Sequence, residues 1–148
     1  MKIARCVAGA LIRDGSVLLV KRSPQVRHYP GVWDLMGGHV EGDESLEDAL
    51  RREAFEELQV RVESLHPIGI IHDPVEPAEV SVYVVSRWSG EPVNGAPEEH
   101  SEVRWFSAHE LPLSAALDGY ETVVQAVTRA MSESARCSRP SRSEAPLT

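Results

Sequence analysis

The stretch from Gly37 to Val60, GGHVEGDESLEDALRREAFEELQV, constrains this chain more than any other. No Gly or Pro interrupts it between Glu44 and Val60, and the pattern predicts a helix. Ser45 is its expected N-cap, with Asp48 three residues on in an imperfect capping box. Near the far end stand Glu53, Glu56 and Glu57. Residues three and four apart are neighbours on a helix surface, so these carboxylates project from one side and repel. A solvated acidic face, partly compensated by Arg51 and Arg52, is the commonest fate of such a triplet. Two features argue for a bound cation instead. The macrodipole disfavours negative charge towards a helix C-terminus. A Gly37-Gly38 loop also precedes the helix, and glycine lets a backbone carbonyl approach a ligand closely. Carboxylate and carbonyl oxygens are the ligands that a hard divalent cation such as Mg2+ takes.

The rest of the chain suits a small acidic protein. Its 148 residues fit one domain with a real core. The net charge of −8 argues against a nucleic-acid polymer or an anionic membrane as partner. No apolar run approaches the ~18 residues of a membrane span. The start of the chain lacks the apolar run of a signal peptide, so a cytoplasmic location is expected. Cys6 in an apolar run and Cys137 in a polar one read as reduced thiols. The six histidines show no ligand spacing, which argues against zinc.

In chain order, residues 3–13 and 16–22 are β-prone runs joined by Asp14-Gly15, a hairpin signal. A loop follows from Ser23 to Val32, then a short extended piece, Trp33-Asp34-Leu35. After the helix, Arg61–Ile71 is extended and His72 to Pro77 a turn that includes Pro74. Glu79–Trp88 alternates as a strand, and Ser89–Ser101 is a loop. Glu102–Phe106 is a short strand, with a turn from His109 to Pro112. Tyr120–Met131 has the periodicity of an amphipathic helix. From Ser132 the composition turns polar. Residues 1–133 are therefore expected to form the domain and 134–148 a disordered tail. Strands on both sides of one helix, followed by a terminal helix, indicate an α/β fold with a mixed sheet between helices.

The central stretch resembles the box of the Nudix hydrolases. After Gly38 come five residues and Glu44, then seven residues and Arg52-Glu53-Ala54-x-Glu56-Glu57, with Val60 at the closing hydrophobic position. Every charged position matches. Gln59 stands where the family has Gly, at a helix exit that suits the left-handed conformation and strains other residues by roughly 1–2 kcal/mol. Met36 replaces a common Pro. The resemblance extends over about residues 3 to 130 and implies an α/β/α sandwich, with the box as a loop-helix-loop beside the sheet.

It also implies Mg2+-dependent hydrolysis of a nucleoside diphosphate linked to another moiety, with Mn2+ as the alternative ion. Glu53, Glu56 and Glu57 would anchor the metal, with the carbonyl of Gly37 or Gly38 as a further ligand, while Glu44 and Arg52 would be structural. The general base is Glu53 or a glutamate before Trp105, in the order Glu99, Glu102, Glu98; solvated loop charge is the alternative for each. Arg22 and Arg27 flank the expected entrance, where guanidinium groups suit phosphate. Tyr29, Trp33, Tyr83, Trp88 and Trp105 could stack on a base, although packing is the commoner role.

The Trp33-x-Leu35-x-Gly37-Gly38 lead-in and the Glu102–Phe106 segment are most similar to nucleoside-triphosphate pyrophosphohydrolases of the MutT type. Those release a nucleoside monophosphate and pyrophosphate, in some cases from oxidised nucleotides. ADP-ribose, other nucleotide sugars and dinucleotides stay open as substrates, Pro74 and Pro77 giving no spacing match to the ADP-ribose branch. A nucleotide-binding domain without activity is the rival from another class, and an acidic domain without a ligand is the third reading. The expected partner is a small nucleotide, and the expected state a monomer or a homodimer.

Overall fold

The structure is a computed structural model that describes residues 3–73, 77–111 and 120–138. Seven strands, β1 (Ala4–Arg13), β2 (Ser16–Arg22), β3 (Trp33–Asp34), β4 (Met36–His39), β5 (Arg61–Asp73), β6 (Ala78–Ser89) and β7 (His100–Ser107), share one sheet. Its main path runs β3-β2-β1-β6-β5, with β4 on β1 and β7 on β2. The β1–β6 pair is parallel and the others are antiparallel, so the sheet is mixed. Helices α1 (Leu46–Leu58) and α2 (Tyr120–Ser138) cover its two faces.

Strand alternation divides the core accordingly. Val7, Leu11, Leu18 and Val20 point to the α1 side, where they meet Leu50, Ala54 and Leu58. Ala10, Ile12, Val17 and Leu19 point the other way, against Val123, Val127 and Met131 of α2. Two buried faces on one sheet require a helix on each side.

Several local expectations hold. Ser45 caps α1 by accepting from Asp48 N at 3.0 Å. Asp14 and Gly15, at φ 51° and 81°, turn β1 into β2. Four details differ. Met36–His39, expected as loop, pairs with β1 from Cys6 to Gly9. β5 runs on through His72 to Asp73, since β6 supplies partners as far as Ala78. The strand after Asn94 starts at His100 rather than Glu102. Helix α2 continues beyond Met131 to Ser138, because Ser134 and Ala135 pack on the β1–β2 turn: Gly15 N donates to Ser134 Oγ at 3.3 Å. Residues 134–138 of the expected tail are thus helical. The remainder of that tail, Pro74 and Pro112 lie outside the described residues. Neither Cys6, which is buried, nor Cys137, which is exposed, is in a disulfide. Among the described residues no helix is long and apolar enough to cross a membrane.

Candidate active site

The site forms where the C-terminal half of α1 crosses β4. Glycine is required there for space. A Cβ on Gly38 would overlap the Glu53 carboxylate, and one on Gly37 would overlap the Val7 carbonyl. With only hydrogen in the way, Gly37 N donates to Glu57 Oε2 at 3.0 Å. Glu57 is 2% exposed and Glu53 is half-buried, whereas Glu56 faces solvent.

Arg52 ties the rim together. It donates through Nε and Nη2 to both oxygens of Glu44, at 2.7 and 3.0 Å, and through Nη2 to His39 O at 2.9 Å. Its Nη1 reaches Glu53 at 2.9 Å and Glu56 at 3.2 Å. These anions hold its pKa above the usual range, Glu44 contributing most. Glu44 is held below the ordinary carboxylate range by the same bonds.

The carboxylates facing the cluster are pushed the other way. Burial, then the charges of Glu53 and Glu99, raise Glu57 to about 9. Burial raises Glu53 too, and the Arg52 hydrogen bond opposes it. His100 Nε2 lies 3.3 Å from Glu57 Oε1. Distance alone would make this an ion pair. Burial lowers the His100 pKa while raising that of Glu57, so the contact joins two groups driven to their neutral forms. Ligand atoms of Glu57, Glu99 and His100 all fall within 4.8 Å of one another. Converging carboxylates, two of them kept from ionising mainly by burial, with glycines leaving the space open, are a donor set that fits a divalent cation.

Glu99 therefore joins the α1 glutamates, while Glu102 and Glu98 do not line the cavity. The reason is register. Lys21 pairs with Glu102 and Arg22 with His100, leaving Ser101 as an extra residue in β7. Glu102 stays on the α2 side with Arg104, whose guanidinium sits 4.9 Å from the Trp33 ring centre. Beyond the bulge the alternation reverses, and His100 turns to the α1 side. His100 escapes a reading of the sequence because spacing carries no signal for a bulge.

A cavity of about 510 Å³ adjoins this acidic cluster. Gly37, Gly38, Glu53, Glu56, Glu99 and His100 line it, as do the apolar side chains of Leu35, Ile71, Val80, Val123 and Val127. Arg22 lines it too, held by a bond from Nε to His28 O at 2.9 Å, whereas Arg27 is outside the lining. Tyr29, at φ 54°, lines the wall and donates to Asp73 Oδ1 at 2.8 Å; burial first, then that bond, pushes its hydroxyl up to about 12. Burial likewise raises Asp34, on the same wall, to about 6. Trp33 reaches the cavity but packs edge-on against Phe106 at 4.9 Å. Tyr83 is core, and Trp88 stacks on Trp105 at 6.1 Å.

Comparison with known proteins gives the family and the fold. A family model for the NUDIX domain matches residues 4–130. The chain belongs to the Nudix hydrolase family. The Nudix fold is shared with the MutT NUDIX hydrolase of Burkholderia pseudomallei, at TM-score 0.75 and 29% identity, over 84% of this chain and 98% of that one. It is also shared with the Escherichia coli ORF135 protein, at TM-score 0.67 and 28% identity, over 95% and 96%. Among curated relatives, the NAD-capped RNA hydrolase NudC of Escherichia coli O1:K1 / APEC is 34% identical over 112 residues, 76% of this chain. The chain spans 42% of that relative's length.

Proposed function

We propose that this Nudix chain hydrolyses a nucleoside diphosphate linked to another moiety, with a (deoxy)nucleoside triphosphate, oxidised or not, as the preferred substrate. The products are a nucleoside monophosphate and pyrophosphate. One observation carries the reading: Glu53, Glu56 and Glu99 line the same cavity as Leu35, Val80 and Val127, and ligand atoms of Glu57 and Glu99 lie within 4.8 Å of each other. A diphosphate with its cation suits the acidic residues and a base the apolar ones.

Bound Mg2+ or Mn2+ would neutralise the diphosphate and lower the pKa of an attacking water. The chain's own groups do the rest. The four glutamates, with the Gly37 or Gly38 carbonyl, hold the ions. Arg52 and Glu44 keep the α1 carboxylates in register, and Arg22, the cross-strand neighbour of His100, meets phosphate oxygens. The general base is Glu53 or Glu99, the two candidates that line the cavity.

The retention of every box carboxylate argues against a binding domain without activity. The NudC relatives favour a second substrate class, dinucleotides joined through a pyrophosphate. A panel of nucleoside triphosphates, ADP-ribose and dinucleotides, assayed with Mg2+ for the native chain, Glu53→Gln and Glu57→Gln, tests both. Turnover of triphosphates by the native chain and its loss in the variants is expected. Binding without turnover would contradict the reading.

A further inference from the structure

We propose that Asn94 is a positioning residue for Glu99: its side chain locks the loop between β6 and β7 onto the last turn of α1, and so delivers the loop glutamate to the helix glutamates. The inference rests on Glu99 belonging to the cation-holding set, as proposed above, and adds what places it there.

Glu99 needs such a device. Glu44, Glu53 and Glu56 share Arg52, and Glu57 accepts from Gly37 N. Glu99 is exposed, and among the described residues no hydrogen bond or salt bridge holds its carboxylate. One of its oxygens nevertheless falls within 4.8 Å of ligand atoms of Glu57 and His100. Nothing in the side chain itself keeps it there, so its place is set by the backbone that carries it.

That backbone is docked on α1. Val93 N donates to Leu58 O at 3.1 Å, and Gly95 N to Glu57 O at 2.7 Å. Carbonyls of a last helical turn have no partner within their own helix. A Cβ on Gly95 would stand 2.7 Å from Glu56 O, so the loop approaches as closely as a bare backbone allows. The turn it grips is the one that carries Glu56 and Glu57.

Asn94 lies between these two anchors and connects them to Glu99. Its Oδ1 accepts from Ala96 N at 3.2 Å, and its Nδ2 donates to His100 O at 2.8 Å. Inside that span, Glu99 N and His100 N both donate to Ala96 O at 2.9 Å, and Ser23 N donates to Glu99 O at 2.9 Å. An asparagine that bonds the N–H two residues on is a common way to make a turn. The second bond, to His100 O, goes beyond that role and closes the segment holding Glu99. It needs an amide: aspartate has the reach without the donor, and serine the donor without the reach. Groups held by a supporting shell of hydrogen bonds keep the geometry that a site demands.

Steady-state kinetics with the best substrate of the panel, and melting temperature against Mn2+ concentration, test this on the native chain, Asn94→Ala, Glu99→Gln and the double variant. Each single substitution should lower kcat by about tenfold to a hundredfold, the range for a displaced catalytic group. Each should also raise the Mn2+ concentration at half of the thermal shift by about tenfold. In the Glu99→Gln background, Asn94→Ala should move either readout by no more than about twofold, because two changes acting through one group do not add. Asn94→Ser keeps a turn-forming hydroxyl that cannot span to His100 O, and it should behave as Asn94→Ala does. Circular dichroism at the assay temperature checks the fold, and Asn94→Ser carries the same cycle if the alanine variant does not fold. Losses that multiply in the double variant, or a near-native Asn94→Ser, would overturn the proposal and leave Glu99 in the site. Native kcat and a native Mn2+ response in Glu99→Gln would overturn the proposal together with the place of Glu99 in the reading above.

Discussion

Arg52 grips Glu44 across eight residues through two parallel hydrogen bonds, Nε to Oε2 at 2.7 Å and Nη2 to Oε1 at 3.0 Å. The remaining guanidinium nitrogen reaches the site glutamates Glu53 and Glu56. The planar fork sets the spacing of carboxylates that would otherwise splay apart. Lysine keeps the charge but not the fork. Arg52→Lys should reduce kcat/KM on the order of a hundredfold, the scale of a misplaced catalytic group. Steady-state kinetics with the best substrate of the panel check this, and full activity would make the pair dispensable.

The two glycines of β4 predict different failures. A Cβ at Gly38 overlaps the end of the Glu53 side chain, whereas at Gly37 it overlaps the β1 backbone. A side chain can rotate away and a paired strand cannot. Gly38→Ala should therefore keep its fold and lose activity, while Gly37→Ala should lower the melting temperature as well. Circular dichroism melts beside activity assays separate the two.

Glu57 makes the metal-free protein sensitive to pH. Its folded pKa, about 9, lies above the ordinary carboxylate value, so the folded state holds a proton that the unfolded state has lost. That contribution is complete below the ordinary range and disappears as pH rises towards 9. Between pH 7 and 9, where Asp34 and His100 have finished titrating, stability in EDTA should fall. Glu57→Gln should flatten the slope. Saturating Mn2+ should do likewise, because the ion replaces the proton. Melting temperatures across that range are the measurement.

Helix α1 ends on Gln59 at φ 59° and ψ 34°, a left-handed residue with its N–H bonded to Phe55 O. The strain expected from the missing box glycine is therefore present and held by that bond. Gln59→Gly should stabilise the fold by about 1 kcal/mol, relief of the Cβ clash being partly offset by the entropy of glycine. Urea denaturation reads this out, with activity unchanged.

What the sequence discloses follows from the range of each interaction. The box is legible because its groups lie on one helix turn or one short approach: Ser45 caps Asp48, Arg52 meets Glu56, and both depend on fixed offsets. The hairpin at Asp14-Gly15 and the face of α2 are equally local. β4 is hidden because two glycines carry no alternation, and its strand character comes from β1 alone. Glu99 and Glu102 are chemically alike and three residues apart, so nothing local separates a site glutamate from a surface one. The bulge at Ser101 decides between them and brings His100 to the site, and a bulge is set by the partner strand. Arg22 and Arg27 look alike in sequence, and only the bond to His28 O and the path of the loop separate them.

Crystals soaked with Mn2+ and a non-hydrolysable nucleoside triphosphate, read by anomalous diffraction, test the central claim most directly. Manganese should lie ~2.2 Å from carboxylate oxygens of Glu56 and Glu57, with the phosphates beside it and the base among Leu35, Val80 and Val127. Nucleotide bound elsewhere, with these glutamates facing water and no ion between them, would contradict the account.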